Sequence, residues 1–572
     1  MRQLLTKLRS LVWPTRPDPA KSRRIAEVRL VFCGFIAVAI IGTIGIRIVG
    51  LAEAHTNLRL AVHGQAAAAM RGRILDREGR LLAGNLPITV LHANPSEIMN
   101  VDDAATSLAT ILPHHTSADL RALLSKQTKY VELDRQLSPK QHAAILQLGI
   151  PGVYFAKGMT RIYPRGQTAA HILGAVDTDH IGIAGIEKSF NATLSAGDDV
   201  MLSLDIGLQT IISHEIQKQI DRFEAIGGAG VILDMHSGEI LAAASLPDFN
   251  PNQFGRASAD ARFNRATKGL YEMGSTFKVL NTAIALETGA AEINQRFDVG
   301  KPMRISRFTI TDYKPRNRPL NVPEIMVYSS NIGSARIAEE IGAETQRAYM
   351  DKLGLLDRLP LEVPETSKPL SPTTWRRSTT ATVSYGHGIS ISMVHLASAI
   401  AAASGTGYWI APTFIKSKTG DTPLKLRVFS ESTTRAVRSM MRLVVSHEDG
   451  SGNFAEAPGY MVGGKTGTAE KIKIGGYNKK ANVTTFAAVF PVHDPRYVII
   501  TMIDEPKGQK HSYGYATAGW VAAPPIRPIV EQIAPLLGIL PVDENSPSIR
   551  QKLMLDFKIG NEEATLASYC SA

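Results

Sequence analysis

Cysteine is almost missing from this chain: two in 572 residues, Cys33 and Cys570. One lies in an apolar run near the N-terminus and the other near the C-terminus, so they cannot sensibly pair. No disulfide framework is expected, and stability has to come from a packed core. The length permits one, and it predicts several domains, since a domain usually takes about 100–200 residues. Metal-ligand patterns are missing too. No Cys/His cluster has zinc spacing, no His-Glu-x-x-His occurs, and the adjacent His114-His115 reads as solvated loop. Neither a catalytic metal nor another cofactor is expected. With 44% hydrophobic and 20% charged residues, wholesale disorder is excluded.

Long apolar runs are scarce as well; there is one. Leu30 to Ile46, LVFCGFIAVAIIGTIGI, is 17 residues without a charge, and Ile48 to Ala52 extends it past Arg47. About 17–25 apolar residues cross a bilayer as a helix. The formal net charge of +11 bears on the same point. Residues 1–29 carry eight basic residues against two acidic, a net +6, which leaves +5 for the rest. The basic excess precedes the apolar run, so it orients an anchor rather than binding nucleic acid. The N-terminus is expected to stay in the cytoplasm and the remainder to be exported across the inner membrane. A cleavable signal peptide, processed at Ala52-Glu53-Ala54, is the rival. The run exceeds the roughly 7–15 residues of a signal h-region. A buried core helix is disfavoured by the even apolarity and the adjacent charge.

After the anchor, Arg71 to Ala83 reads as strand, turn, strand. Residues 102–126 and 138–148 read as helices. Residues 161–174 carry a Tyr-Pro turn and a short helix, and Leu202 to Arg222 a strand end followed by an amphipathic helix. From about residue 226 the texture changes. Gly228 to Leu233 and Glu239 to Ala244 are strand candidates around the turn Met235-His236-Ser237-Gly238. Residues 483–490 and 496–503 form a second pair around His493-Asp494-Pro495. Strands at both ends with helices between predict an α+β fold with an antiparallel sheet flanked by helices. The organisation expected is a cytoplasmic basic segment 1–29, a single transmembrane helix 30–51, a mixed α/β region 52–225, a catalytic domain 226–540 and a loosely packed tail 541–572.

Three short motifs follow in order inside 226–540. Ser275-Thr276-Phe277-Lys278 opens a good helix former, VLNTAIALE. Ser275 then sits where unpaired N–H groups and the helix dipole favour developing negative charge. Lys278, at i+3, shares its face. A partly desolvated lysine there can lose its proton and act as a base. Alone, the pattern equally suits a helix cap and a solvated lysine. Ser329-Ser330-Asn331 offers a hydroxyl that can relay a proton and an amide that can orient a peptide bond, or it is an ordinary loop. Lys465-Thr466-Gly467-Thr468 suits a strand edge. Gly467 admits a close backbone, and Lys465 with the Thr hydroxyls can hold a carboxylate; the plain alternative is a Gly-rich turn. GYMVGGKT, residues 459–466, formally has phosphate-loop spacing. An exported chain meets no ATP, and no helix-forming run follows Thr466. The order of the three motifs within one exported domain is the joint signal.

With these motifs the chain resembles the class B penicillin-binding proteins over nearly its whole length after the anchor. RGRILDREGRLLA (71–83), RIYPRGQTAAHILG (161–174), GIAGIE (182–187), GEILAAASLPDFNPN (238–252), NRATKGLYEMGSTFK (264–278), SYGHGISIS (384–392) and DEP (504–506) carry the likeness. Met273 stands where many relatives have Pro, and residues 450–455 are a loose version of the usual stretch ahead of Lys-Thr-Gly. The AHILGAVDTDHIGIAGIE block is most similar to the division-specific branch; the elongation-specific branch is the alternative. The resemblance implies a peptidoglycan D,D-transpeptidase that cross-links stem peptides at the septum. It implies catalytic roles for Ser275, Lys278, Ser329, Asn331 and Lys465. Ser275 would attack the D-alanyl–D-alanine carbonyl and Lys278 would take its proton. Ser329 would relay a proton to the departing D-alanine, and Asn331 would bind the donor amide. Lys465, Thr466, Gly467 and Thr468 would bind the terminal carboxylate end. The Ser275 and Thr468 N–H groups would form the oxyanion hole, worth about 3–4 kcal/mol per donor.

Implied ligands are lipid-linked or nascent peptidoglycan stem peptides, and β-lactams that mimic them. Implied partners are a membrane glycan polymerase of the FtsW kind and other division proteins, bound by a pedestal at 52–225. A β-lactamase or penicillin sensor would use the same triplet but would have no place for the 52–225 region. A carboxypeptidase differs only in sending the acyl group to water. A division scaffold with a decayed site predicts a broken motif, and none is broken.

Overall fold

The computed structural model describes residues 28–45, 47, 70–306, 308–418, 420, 422–473 and 476–553. The basic segment up to residue 27, the end of the apolar run, the candidate processing site, Cys570 and the last 19 residues lie outside these. Helix α1, Val28–Gly45, has a mean hydropathy of 2.2. Among the described residues it is the one helix long and apolar enough to cross a membrane. Cys33 on it is free.

The remainder, from Arg71 onward, begins with β1 (Ile74–Leu75) and the long β2 (Leu81–Ala93). Then follow α2 (Val101–Ile111), α3 (Ser117–Leu124), β3 (Val131–Leu137), α4 (Pro139–Leu148), β4 (Val153–Ile162), α5 (Ala170–Leu173) and β5 (Val200–Met201). β2 pairs antiparallel with β1, β3 and β4, and β1 runs parallel to β5. The helix expected over 102–126 is two helices. Pro113 lies in the break, and Thr116 restarts the chain with a capping box to Asp119. Leu108, Leu120, Leu124 and Ile145 seal one face of this sheet.

Next comes α6 (Ile206–Arg222), whose first N–H groups are capped by Asp205 Oδ1 at 2.7 and 3.1 Å. The hairpin β6 (Gly227–Asp234) and β7 (Ile240–Leu246) turns at the expected residues. A helical stretch follows: α7 (Phe277–Thr288), α8 (Val322–Val327), α9 (Asn331–Ile341), α10 (Met393–Ser404) and α11 (Glu431–Ser446). β8 (Gly463–Lys473), β9 (Gly476–Phe490) and β10 (Tyr497–Asp504) complete the sheet, and α12 (Ala518–Val521), α13 (Ile526–Leu536) and α14 (Pro547–Leu553) follow. The strand order is β8-β9-β10-β6-β7, antiparallel throughout, which leaves β8 at an edge.

Alternation along the strands builds two cores. Val231, Leu233, Val498, Ile500 and Met502 face α7, α10 and α11. Ile232, Ile499 and Ile503 face α6 and α13. Each such side chain, fully buried, contributes about 1.5–3 kcal/mol. Residues 541–553 are tied to this body rather than loose. Leu553 is buried beside Leu443 and Met461, its carbonyl accepts from Ser439 Oγ at 3.2 Å, and Glu544 pairs with Arg442 at 2.8 Å.

Three of the family-like stretches meet at one buried point. Glu187 is fully buried and takes Arg71 and Arg161, each at 2.7 Å. Arg161 also donates to the Gly72 carbonyl at 2.8 Å and Arg71 to Asn191 at 2.9 Å.

Candidate active site

Ser275 lies in a single 3-10 turn, Gly274–Thr276, that runs into α7. The turn is partly exposed at Ser275 alone. One turn later Lys278 is buried, and its Nζ donates to Ser275 Oγ at 2.9 Å, Ser329 Oγ at 3.1 Å, the Ser329 carbonyl at 2.6 Å and Asn331 Oδ1 at 2.8 Å. The first two motifs are thus joined through one ammonium. Burial, and next the charge of Lys465, hold Lys278 well below the ordinary lysine range, with Asp312 pulling the other way.

Ser329 adopts a left-handed backbone, φ 56°, which aims its hydroxyl between two lysines. Lys465 Nζ reaches it at 2.8 Å. Lys465 is fully buried on the edge strand β8, and burial pushes it down to about 7. It faces Ser329 inside the site, with the Thr466 carbonyl at 3.3 Å and Thr466 Oγ1 at 3.4 Å. Thr466 Oγ1 is shared with Ser451 Oγ at 2.7 Å, and Thr468 Oγ1 accepts the Ala518 N–H at 3.0 Å. A Cβ at Gly467 would lie 2.2 Å from the Met273 carbonyl, so only glycine lets the strand close on the turn before Ser275. Gly274, at φ 53°, rests likewise on the backbone of Thr468. Met273, with φ −90° and ψ 3°, accepts the Thr276 hydroxyl at 2.9 Å and needs no proline to make its turn.

All eight residues singled out from the sequence therefore fall in one cluster. Two others belong to it that were not among the site residues expected from the sequence. Asp312, in the loop before α8, accepts from Ser330 Oγ at 2.6 Å, Asn331 N at 2.6 Å and Ile332 N at 3.0 Å. It caps α9 and fixes the turn carrying Ser329, yet it stands 19 residues before Asn331. Ser451 is the second, supplied by the loop at 450–455. The phosphate-loop reading fails on the fold: Lys465-Thr466 continues as an edge strand, with no helix behind it.

Residues 228–530 match the penicillin binding protein transpeptidase domain, more than half of the chain. The chain belongs to the class B penicillin-binding proteins. Residues 66–202 of this penicillin-binding protein match the family's dimerisation domain. It is 39% identical over 490 residues to "Probable peptidoglycan D,D-transpeptidase FtsI" of Caulobacter vibrioides, covering 83% of each chain. It is 32% identical over 513 residues to "Probable peptidoglycan D,D-transpeptidase PenA" of Neisseria gonorrhoeae, covering 84% of this chain and 87% of that one. The crystal structure of penicillin binding protein 3 from Mycobacterium tuberculosis, complexed with aztreonam, superposes with a TM-score of 0.67 at 25% identity. That match covers 83% of this chain and 98% of the other.

Proposed function

We propose that this penicillin-binding protein is a peptidoglycan D,D-transpeptidase acting through a Ser275 acyl-enzyme, in septal wall synthesis. The observation that carries it is Lys278 Nζ at 2.9 Å from Ser275 Oγ, in surroundings that favour the neutral amine. Lys278 takes the hydroxyl proton as Ser275 Oγ attacks the penultimate D-alanine carbonyl of a donor stem. The N–H groups of Ser275 and Thr468 receive the oxyanion. Lys278 returns its proton through Ser329 to the departing D-alanine nitrogen, and Lys465, at 2.8 Å from Ser329 Oγ, stabilises that relay. Asn331 holds the donor amide. Thr466, Gly467 and Thr468 line the edge on which the terminal carboxylate lies. An acceptor amine then attacks the ester and forms the cross-link.

The apolar helix α1 supports a single-pass anchor with the N-terminus in the cytoplasm and the catalytic domain in the periplasm. The match to FtsI-named relatives supports placement at the septum, with residues 52–225 meeting a glycan polymerase of the FtsW kind. The test is labelling by a fluorescent penicillin. Wild type should be acylated and hold the label, and Ser275→Ala should take none. Folded wild type that stays unlabelled would remove the catalytic reading.

A further inference from the structure

Glu272 stands three residues before Ser275, with its side chain only 3% exposed. Its Oε1 accepts the Gly388 N–H at 2.7 Å and the Tyr477 hydroxyl at 3.1 Å. Its Oε2 is buried without a hydrogen-bond partner among the described residues. His387 faces it. Nε2 lies 4.0 Å from Oε2, too far for a direct hydrogen bond. The ring is held edge-on between Tyr385 and Tyr477, at centroid distances of 5.3 and 5.9 Å. The loop that carries His387 is pressed on the nucleophile's turn: a Cβ on Gly386 would lie 2.2 Å from the Gly274 carbonyl.

Glu272 Oε2 and the Nε2 of a neutral His387 are both acceptors, so the pair calls for a hydrogen-bond donor. Burial, and then the charge of Lys278, push His387 down to about 4, so the imidazole is neutral near pH 7 and offers a lone pair. Burial raises the Glu272 carboxyl, and an arriving positive charge would bring it back to carboxylate. The other titratable groups here are Tyr385 and Tyr477, both pushed up, with Glu470 adding negative potential at Tyr477. A half-satisfied buried carboxylate is costly until a donor reaches it. An N–H donor placed beside the line joining Oε2 and Nε2, within reach of each, satisfies both, and an ammonium makes the shorter, charge-assisted bonds.

We propose that Glu272 Oε2 and His387 Nε2 hold the ammonium group of the acceptor strand beside the Ser275 acyl-enzyme. The proposal rests on the transpeptidase reading and names what selects an amine over water in its second half. The held ammonium gives one proton to Lys278, neutral in the acyl-enzyme. Its nitrogen lone pair attacks the ester carbonyl, and the C–N bond forms. The Ser275 C–O bond then breaks, Ser275 Oγ regains a proton from Lys278, and the new amide nitrogen releases its surplus proton to solvent. Glu272 stays a carboxylate and His387 a neutral imidazole through these steps; they are positioning residues that bring the acceptor to the ester.

The experiment uses the full chain, a D-alanyl thioester donor and D-alanine as acceptor, and reads the ratio of aminolysis to hydrolysis against acceptor concentration and pH. In His387→Phe and Glu272→Gln the acceptor KM should rise at least tenfold near pH 7, with kcat at saturating acceptor within about threefold. His387→Gln, which keeps an acceptor atom, should recover part of the loss. Above the pKa of the acceptor amine, wild type and variants should converge, because no ammonium remains to be held. An unchanged ratio, or a loss equal at every pH, would overturn the proposal. Fluorescent penicillin reports on Ser275 separately: an unlabelled wild type strikes the transpeptidase reading before any acceptor is involved.

Discussion

Two of the buried charge clusters in this chain are built on opposite terms. In the N-terminal region, Glu187 is enclosed by Arg71 and Arg161 at 2.7 Å each, and carbonyl and amide oxygens take further guanidinium protons. In the active site, Lys278 and Lys465 are as deeply buried, but both are aimed at the same neutral hydroxyl, Ser329 Oγ. The first cluster answers each charge with an opposite one and holds elements together. The second leaves two cations facing neutral oxygens, so the cheapest adjustment is to release a proton. Burial alone thus does not mark a candidate catalytic group; burial with no carboxylate in direct contact does.

The contrast can be broken from either side. The largest effect is expected from Lys278→Met, which removes the proposed base and should slow acylation by penicillin about 10³-fold or more, ~4 kcal/mol of barrier. Stopped-flow labelling at several drug concentrations would measure it, and the melting temperature should hardly fall. Glu187→Gln does the reverse: it strands two buried guanidinium groups and should cost about 3 kcal/mol of stability, read by denaturant unfolding. Acylation of the still-folded fraction should continue. The smallest effect sharpens the distinction through pH. The folded pKa of Lys465, about 7, lies below that of an unfolded lysine, about 10.4. Between those values the unfolded chain binds more protons than the folded one, so stability rises with pH there, by up to about 1.4 kcal/mol per unit for each such group. Below about 7 both states are protonated and this slope vanishes. Lys465→Met should remove its share of the slope while Glu187→Gln leaves it intact.

The sequence carried much of this arrangement because local rules and long-range packing agree for most of it. The turn at 235–238 and the break at 493–495 mark two hairpins of the main sheet, and Lys465 to Thr468 falls on an edge strand where a glycine at 467 is required. The helix expected over 102–126 divides because Pro113 and the Thr116 cap outweigh the apolar spacing. Residues 541–553 read as loose, since no single apolar stripe marks them; they are held by scattered contacts, among them Val542, Ile549 and Leu553 in one small cluster and the ion pair of Glu544. Asp312 escaped notice for a different reason. It caps a helix from 19 residues away, and no spacing rule reaches that far. The partners of Glu187 were visible as separate matching stretches, but nothing in their order says that they converge on one carboxylate.

Where β8 meets the turn of Ser275, the contact is main chain against main chain: Gly467 on the Met273 carbonyl, Gly274 on Thr468, Gly386 on Gly274. The spacing between β8 and this turn is therefore set largely by atoms that every residue shares. Drift that weakens a β-lactam has to work elsewhere, on rim positions such as His387 and Tyr477 or on the loop that supplies Ser451. The pocket's entrance can change its preferences over generations while the scissile bond keeps its place.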